Sequence, residues 1–365
     1  MEAAGRTVRT ALVGYGLGGS VFHAPFIEAE PRIVLSVVVT SDPERQSAAR
    51  ARYPLARVVG SFAGLVEIID EVDLVVVSTP NATHVALADA ALRHARHVVV
   101  DKPVAPTAAE VRQLAGLAAE VGRMLVPFQN RRWDGDYRTA TGLVRSGELG
   151  ELHRFESRFE RWEPAVRTAS ARSWKRDPGP GQANGILYDL GTHLIDQSVA
   201  LFGRPRSVYA EIDVRRPRAE VDDDVFLALH YGRGLVCHLW ASTVAADRGP
   251  RLRLLGSSGS FVKYGMDVQE AALVAGGSPS NPGWGREPPE SWGTVTTSAG
   301  SRAEATLPGA YQLFYSGLAA CLLDGAPPPV DAADAVLTAE VVEAAQRSAA
   351  GSEVSLLSDE SSTRH

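Results

Sequence analysis

Cysteine is scarce: the 365-residue chain has two, Cys237 and Cys321. They lie far apart inside apolar runs, at no metal or redox spacing, which excludes a disulfide scaffold and a cysteine–zinc centre. Both read as buried core thiols. Positive charge is not in excess either: 37 Lys plus Arg stand against 43 Asp plus Glu, a net charge of -6. That argues against nucleic acid as a partner. No apolar run approaches the ~18 residues of a membrane span, and no apolar signal-like segment precedes the first strand. A cytoplasmic protein without a membrane association is the expectation. Internal repeats are also absent.

What is present is length and alternation. A chain of 365 residues has room for two domains. Four short apolar runs, Val8 to Val13, Ile33 to Val39, Asp73 to Ser78 and His97 to Val100, read as parallel strands buried on both faces. Helical segments separate them. Asp42 caps one near Arg45–Arg52, Ser61 precedes another, and Thr107 with Glu110 forms a capping box before a third. A strand near Met124–Pro127 completes an α/β Rossmann domain over 1–127. From 128 to 348 the pattern changes to short alternating strands and a few helices, predicting a second α/β domain with a large, mainly antiparallel open sheet. Alternation at Val225, Leu227, Leu229, Leu235 and Cys237 suggests an apolar sheet face and hence a homodimer or homotetramer. Residues 349–365 read as a flexible tail.

The first strand runs directly into Gly14, Gly16, Leu17 and Gly19, in G-x-G-x-x-G spacing ahead of a helix. Gly14 permits the tight turn, Gly16 the approach of a pyrophosphate, and Gly19 close helix–strand packing. Helix N–H groups would face the phosphates. An NAD site places a carboxylate at the tip of the second strand; here Thr40 and Ser41 stand there, with Arg45 nearby. Small hydroxyl residues leave room for a 2′-phosphate and Arg45 can pair with it, so NADP is the expected cofactor, with NAD as the alternative.

The segments GYGLGGSVFHAPF, VVVSTPNATH, HVVVDKPVAPTAAE, NRRWDGDY, GILYDLGTHLIDQ and GSFVKYGMDVQE together resemble the Gfo/Idh/MocA oxidoreductases over about residues 7 to 348. The last three point to a subgroup similar to the NADP-dependent scyllo-inositol 2-dehydrogenases. The resemblance implies a catalytic set of Lys102, Asp189 and His193. It implies cofactor contacts at Thr79, Pro80, Asn81, His84, Asp101 and Lys102, where Asp101 replaces the family's usual Glu. It also implies a substrate role for Asn130, Arg131 and Trp133, and a loop bearing Trp174 and Lys175 that reaches over the substrate.

The residues support part of this without the family. Lys102 ends a buried strand, where ligands bind in open α/β sheets, and Pro103 restricts its backbone. Asp189 and His193, four apart on a helix, share a face with Tyr188 nearby. An imidazole can take a hydroxyl proton, Asp189 can orient it or favour its protonated form, and Lys102 can polarise the substrate oxygen. No third metal ligand accompanies them. The Arg131–Trp133 cluster at the domain junction suits a cleft, or equally an inter-domain salt-bridge network. The function these features imply is hydride transfer between a cyclic polyol or sugar alcohol and a nicotinamide. A dehydrogenase of another sugar or keto-sugar, and a non-catalytic cofactor-binding regulator, are the alternatives.

Overall fold

The computed structural model describes residues 6–166, 175, 177–179 and 181–357. The N-terminal part builds β1 (Val8–Val13), α1 (Ala24–Ala29), β2 (Ile33–Val39), α2 (Pro43–Arg52), β3 (Arg57–Val59), α3 (Phe62–Val66), β4 (Leu74–Val77), α4 (His84–Arg93), β5 (His97–Asp101), α5 (Ala108–Glu120) and β6 (Leu125–Phe128). Its strands pair in parallel in the order β3-β2-β1-β4-β5-β6. This is the Rossmann arrangement, with its switch point between β1 and β4. Every residue of β4 is buried, because helices cover both sheet faces. The Asp42 carboxylate caps α2 by accepting from the N–H groups of Glu44 and Arg45 at 2.9 and 3.2 Å. Thr107 and Glu110 form the capping box of α5.

The remainder builds α6 (Gly135–Ser146), β7 (Leu152–Glu160), α7 (Thr192–Phe202), β8 (Ser207–Asp213), β9 (Asp224–His230), β10 (Val236–Ser242), β11 (Leu252–Gly256), β12 (Gly259–Lys263), α8 (Gln269–Val274), β13 (Gly293–Thr297), β14 (Gly300–Glu304), α9 (Gln312–Asp324), α10 (Ala332–Gly351) and β15 (Ser355–Leu356). The strands form one sheet in the order β14-β13-β12-β11-β7-β10-β9-β8-β15. Only β7 and β10 pair in parallel among the described strands of this sheet. One face packs on α6, α7 and α10 through residues such as Leu143, Ile195 and Val341.

Four expectations need correction. Val225, Leu227, Leu229, Leu235 and Cys237 all lie in the core beneath the helices, not on the open face. Side chains alternate across a strand, so the open face instead carries their neighbours. There Phe226, His238 and Trp240 stack with ring centroids 5.2–5.8 Å apart, and the Arg158 guanidinium lies 3.7 Å over Trp240. Second, part of the supposed tail is structured. Ser352 adopts φ 52°, ending α10 and turning the chain back, so that β15 pairs with β8 at the sheet edge. Third, the sequence split at 127/128 does not divide the packing. Phe314, Tyr315 and Leu318 of α9 are fully buried in the cluster that holds β1 and β4. Burial of a large apolar side chain contributes roughly 1.5–3 kcal/mol, so α9 belongs energetically to the N-terminal sheet. Fourth, Cys237 is buried, but Cys321 is partly exposed; both are free thiols.

Candidate active site

The glycine loop crosses the carboxyl end of β1 at the switch point. Gly14 has φ 98°, and a Cβ there would sit 2.1 Å from the Ser78 carbonyl oxygen. A Cβ on Gly19 would lie 2.0 Å from the Gly14 carbonyl oxygen. Both are therefore required by the backbone itself. Gly16 differs: within 4 Å a Cβ would meet only the Arg45 guanidinium, at 3.6 Å. The loop thus presents an open backbone surface with an arginine beside it, a cradle that fits the phosphates of a dinucleotide. Leu17 is exposed at its crest, and a π turn, Gly18–His23, follows. Thr40 is buried, with its carbonyl held by Gln46 at 2.8 Å, while Ser41 is exposed. Ser41 and Arg45 are therefore the tip residues that a ligand can reach.

Below the loop lies a polar cluster that the glycine spacing does not announce. The Asp101 carboxylate accepts from the Ser78 hydroxyl at 2.8 Å and stands 3.4 Å from the His23 ring. His23 is itself fully buried, bonded to the Tyr315 hydroxyl at 2.6 Å and stacked on Phe128. Burial alone would raise the Asp101 carboxyl; His23, His84 and the Ser78 hydroxyl overcome it and bring it down to about 2. A Cβ on Gly18 would strike Ser78 Oγ and Asp101 Oδ2, at 2.4 and 3.0 Å. This neighbour packing, rather than phosphate approach, explains Gly18, the glycine of the loop outside the G-x-G-x-x-G spacing.

On the facing side, a second π turn, Leu187–Gly191, leads into α7. Such turns recur at functional sites. Asp222 starts it, accepting from the Leu187 N–H at 2.7 Å, and only a glycine fits at Gly185, whose Cβ would sit 1.9 Å from the Asp222 carboxylate. The turn brings Asp189 to Lys102. The Lys102 ammonium donates to the Asp189 carbonyl and stands 3.1 Å from its Oδ1. Lys175 donates to the same Oδ1 at 2.7 Å. Burial would raise the Asp189 carboxyl, yet the two ammonium groups hold it well below the ordinary carboxylate range. Burial, reinforced by Lys175, pushes Lys102 down despite Asp189.

His193 follows one turn on and is buried, with Nδ1 lacking any hydrogen-bond partner among the described residues. Burial, then the charges of Lys102 and Arg131, push its pKa well below the ordinary value despite Asp189. The shift favours the neutral imidazole. Asp189 is therefore spent on two lysines, and no hydrogen bond orients His193 through it among the described residues. That corrects the orienting role read from their spacing. A π turn holds more residues per turn than the α-helix on which that spacing was judged.

The other expected residues divide. Thr79, Pro80 and Asn81 line the strand end, and Asn81 donates to the Ala183 carbonyl across the cleft at 2.7 Å. His84 lies fully buried with both ring nitrogens against backbone carbonyls, which corrects its assignment as a cofactor contact. Asn130 is buried at the start of a 3-10 turn. Arg131 pairs with Glu270 and Asp134 and lies 4.6 Å over Phe159. Trp133 packs against Phe314, facing the N-terminal core rather than the catalytic groups. The salt-bridge reading of this cluster is thus what the side chains do: Arg132 joins Asp196 and Asp334, and Arg251 joins Asp136 at 3.1 Å. Tyr188 donates to the Pro106 carbonyl at 3.1 Å. Trp174 lies outside the described residues. Lys175, next to it, reaches Asp189 although no spacing in the sequence signals that contact. No group of His, Cys, Asp and Glu suited to a metal occurs among the described residues. No helix among them is long and apolar enough to cross a membrane.

Comparison with known proteins agrees with this geometry. Residues 8–128 match the family model described as oxidoreductase family, NAD-binding Rossmann fold. Residues 141–356 match the one described as oxidoreductase family, C-terminal alpha/beta domain. The chain is 36% identical over 348 residues to scyllo-inositol 2-dehydrogenase (NADP(+)) IolW of Bacillus subtilis, covering 94% of each protein. It is 39% identical over 340 residues to the uncharacterized oxidoreductase YdgJ of Escherichia coli, covering 92% of this chain and 94% of that one. The solved structure of the oxidoreductase yvaA from Bacillus subtilis superposes with a TM-score of 0.91 at 33% identity, covering 98% of this chain and all of that one. With both of its parts matched and its fold reproduced, the chain belongs to the Gfo/Idh/MocA family and is an oxidoreductase with an NAD(P)-binding Rossmann fold.

Proposed function

We propose that this protein is an NADP-dependent dehydrogenase of secondary alcohols on cyclic polyols or sugars, with scyllo-inositol as the first substrate to test. The observation that carries the reading is the meeting of Lys102, from the cofactor-binding sheet, with Asp189 of the second part at the end of β5, with His193 one turn further on and within reach of the Lys102 charge. In oxidation the alcohol loses a proton from oxygen and a hydride from carbon. The nicotinamide, when bound, supplies the hydride acceptor. His193, neutral and buried, is suited to take the hydroxyl proton. The Lys102 ammonium is suited to bind the oxygen as negative charge gathers there. Asp189 holds that ammonium in place, and Lys175 keeps the carboxylate occupied from the other side. In reduction the proton and the hydride return to the carbonyl. The relationship to a protein named as a scyllo-inositol 2-dehydrogenase supports the substrate class.

The test is a panel of scyllo-inositol, myo-inositol, glucose and xylose with NADP⁺ and NAD⁺, followed by absorbance of the reduced nicotinamide. Turnover of an inositol with NADP⁺ is the expected result; turnover of an aldose alone overturns the inositol assignment. The cofactor choice rests on Arg45 beside Gly16, with the Asp42 carboxylate engaged by the α2 N-terminus and 3.4 Å from Arg45. Arg45→Ala should weaken NADPH binding by about tenfold or more, the worth of a charge-assisted bond, and leave NADH binding nearly unchanged. Equal losses for both would defeat the NADP reading.

The open sheet face supports self-association. Phe226, His238, Trp240 and Arg158 form an aromatic and cationic surface of the kind enriched in interfaces. We assign it to a homodimer, with a homotetramer as the larger alternative. Trp240→Glu should give a monomer in sedimentation at low micromolar concentration while the parent chain sediments as a dimer or larger. A monomeric parent chain would remove the assignment.

A further inference from the structure

His84 follows the Thr79–Pro80–Asn81 segment and opens α4. Its ring is fully buried. Nδ1 lies 2.8 Å from the Pro103 carbonyl oxygen and Nε2 lies 2.9 Å from the Thr79 carbonyl oxygen. These two carbonyls belong to different loops. Thr79 follows β4 at the cofactor rim, and Pro103 is the residue after Lys102 at the end of β5. The parallel ladder between β4 and β5 ends with Val77 and Val100. Beyond it no backbone bond holds the two loops together among the described residues. The ties there are the Ser78 hydroxyl on Asp101 and, one step further out, the His84 ring.

A carbonyl oxygen only accepts hydrogen bonds. The doubly protonated ring donates to both; the neutral ring donates to one and turns an acceptor lone pair to the other, so the two-sided tie needs both N–H groups. Burial lowers the ring's pKa, while the two carbonyls and the Asp101 charge favour the doubly protonated form. With both N–H groups present the rigid five-membered ring fixes the gap between the loops. A helix-capping or core-filling histidine would need neither carbonyl, and a ligand contact would need an exposed edge that His84 does not have.

We propose that His84 is a positioning residue, which sets the distance between the cofactor-rim segment Thr79–Asn81 and Lys102 without touching any ligand. The proposal rests on the reading of Lys102 as a catalytic group. It explains why a histidine within a segment that otherwise lines the cleft is turned inward. It also gives the two ring nitrogens separate duties: Nδ1 steadies the lysine turn and Nε2 steadies the cofactor rim.

Two amide substitutions separate those duties. The side-chain nitrogen of Asn reaches the position of Nδ1, and that of Gln the position of Nε2. Two measurements on the full-length protein read them. The first is the dissociation constant of NADPH by its fluorescence. The second is the acetylation rate of Lys102 by acetic anhydride in cofactor-free protein, read by peptide mass spectrometry. His84→Asn should leave the Lys102 rate near that of the parent and weaken NADPH binding about fivefold, the worth of one neutral hydrogen bond. His84→Gln should do the reverse: near-parental NADPH binding, a changed Lys102 rate, and turnover lower by ~10–100-fold as the lysine is displaced. His84→Ala should lose both. Parental values in all three variants would overturn the proposal. So would parallel losses in both measurements that track the drop in Tm, the mark of a merely structural residue. Lys102→Met retaining full turnover would instead defeat the catalytic reading of Lys102, and would leave the split between the two amide variants unaffected.

Discussion

Replacing Lys102 with alanine should lower turnover roughly 10²–10³-fold, the scale for removing one donor aimed at a developing oxyanion. The ammonium is held between the Asp189 carbonyl and carboxylate at the end of β5, where an open α/β sheet binds its ligands. Its removal does not leave Asp189 an orphaned buried charge, because Lys175 stays on the same oxygen at 2.7 Å. The variant should therefore fold with a Tm close to that of the parent, and the loss should appear in kcat. Lys102→Arg should recover little. A planar guanidinium cannot occupy the position of a compact ammonium that meets a carbonyl and a carboxylate at once. NADPH affinity, measured by fluorescence, should fall only modestly, since the phosphates are held at the glycine loop. Full turnover by the alanine variant would remove Lys102 from the mechanism. Loss of turnover accompanied by an equal loss of NADPH affinity would make it a cofactor ligand instead.

Parts of this arrangement are legible in the sequence for physical reasons. Strands of a sheet covered on both faces become unbroken apolar runs, and that is why β1, β2, β4 and β5 stand out. The helix starts at Asp42, Thr107 and Asp331 are equally plain, because a cap is a local bond between neighbours in the chain. Edge elements escape the same reading. β14 has no buried residue, and β3 has none in its three positions, so no apolar period marks them. β15 is only two residues long, and its pairing with β8 depends on the left-handed turn at Ser352.

The site divides along the same line. Lys102, Asp189 and His193 are legible as residues because their motifs are distinctive, and Lys102 is legible as a position because it ends a strand. Their mutual bonds are not. Asp189 and His193 look like a pair on a helix face, and the π turn sends the carboxylate to two lysines instead. Lys175 reaches Asp189 from a stretch with no apolar period. His84 follows a polar segment and is implied by the resemblance as a cofactor contact, although it is wholly buried. Contacts made across the fold by polar side chains leave no periodic trace, and the corrected roles are of this kind.

His193→Ala should lower turnover by roughly 10²–10⁴-fold, the range for a general acid–base group. The ring is buried, and Nδ1 has no partner among the described residues. Burial and the nearby Lys102 and Arg131 charges hold its pKa well below the ordinary 6.5. The neutral, proton-accepting form therefore exists throughout the neutral range. The sign of the pH effect follows. As pH falls through the depressed pKa the ring protonates, the base is lost, and kcat/KM for oxidation declines. The acid limb of the profile should therefore lie below pH 6.5, and it should be absent from the residual activity of the alanine variant. The same shift links to stability. Above 6.5 the folded and unfolded chains both carry a neutral ring here. Below it the unfolded chain takes up a proton that the fold resists, so this residue's contribution is lost as the pH drops. His193→Asn should accordingly flatten the decline of Tm between pH 6.5 and 5, while NADPH binding stays near that of the parent because His193 belongs to α7 and not to the glycine loop. A variant with parental turnover, or one whose acid limb is unchanged, would show that the proton goes elsewhere, and the depressed Lys102 beside it would be the next base to test.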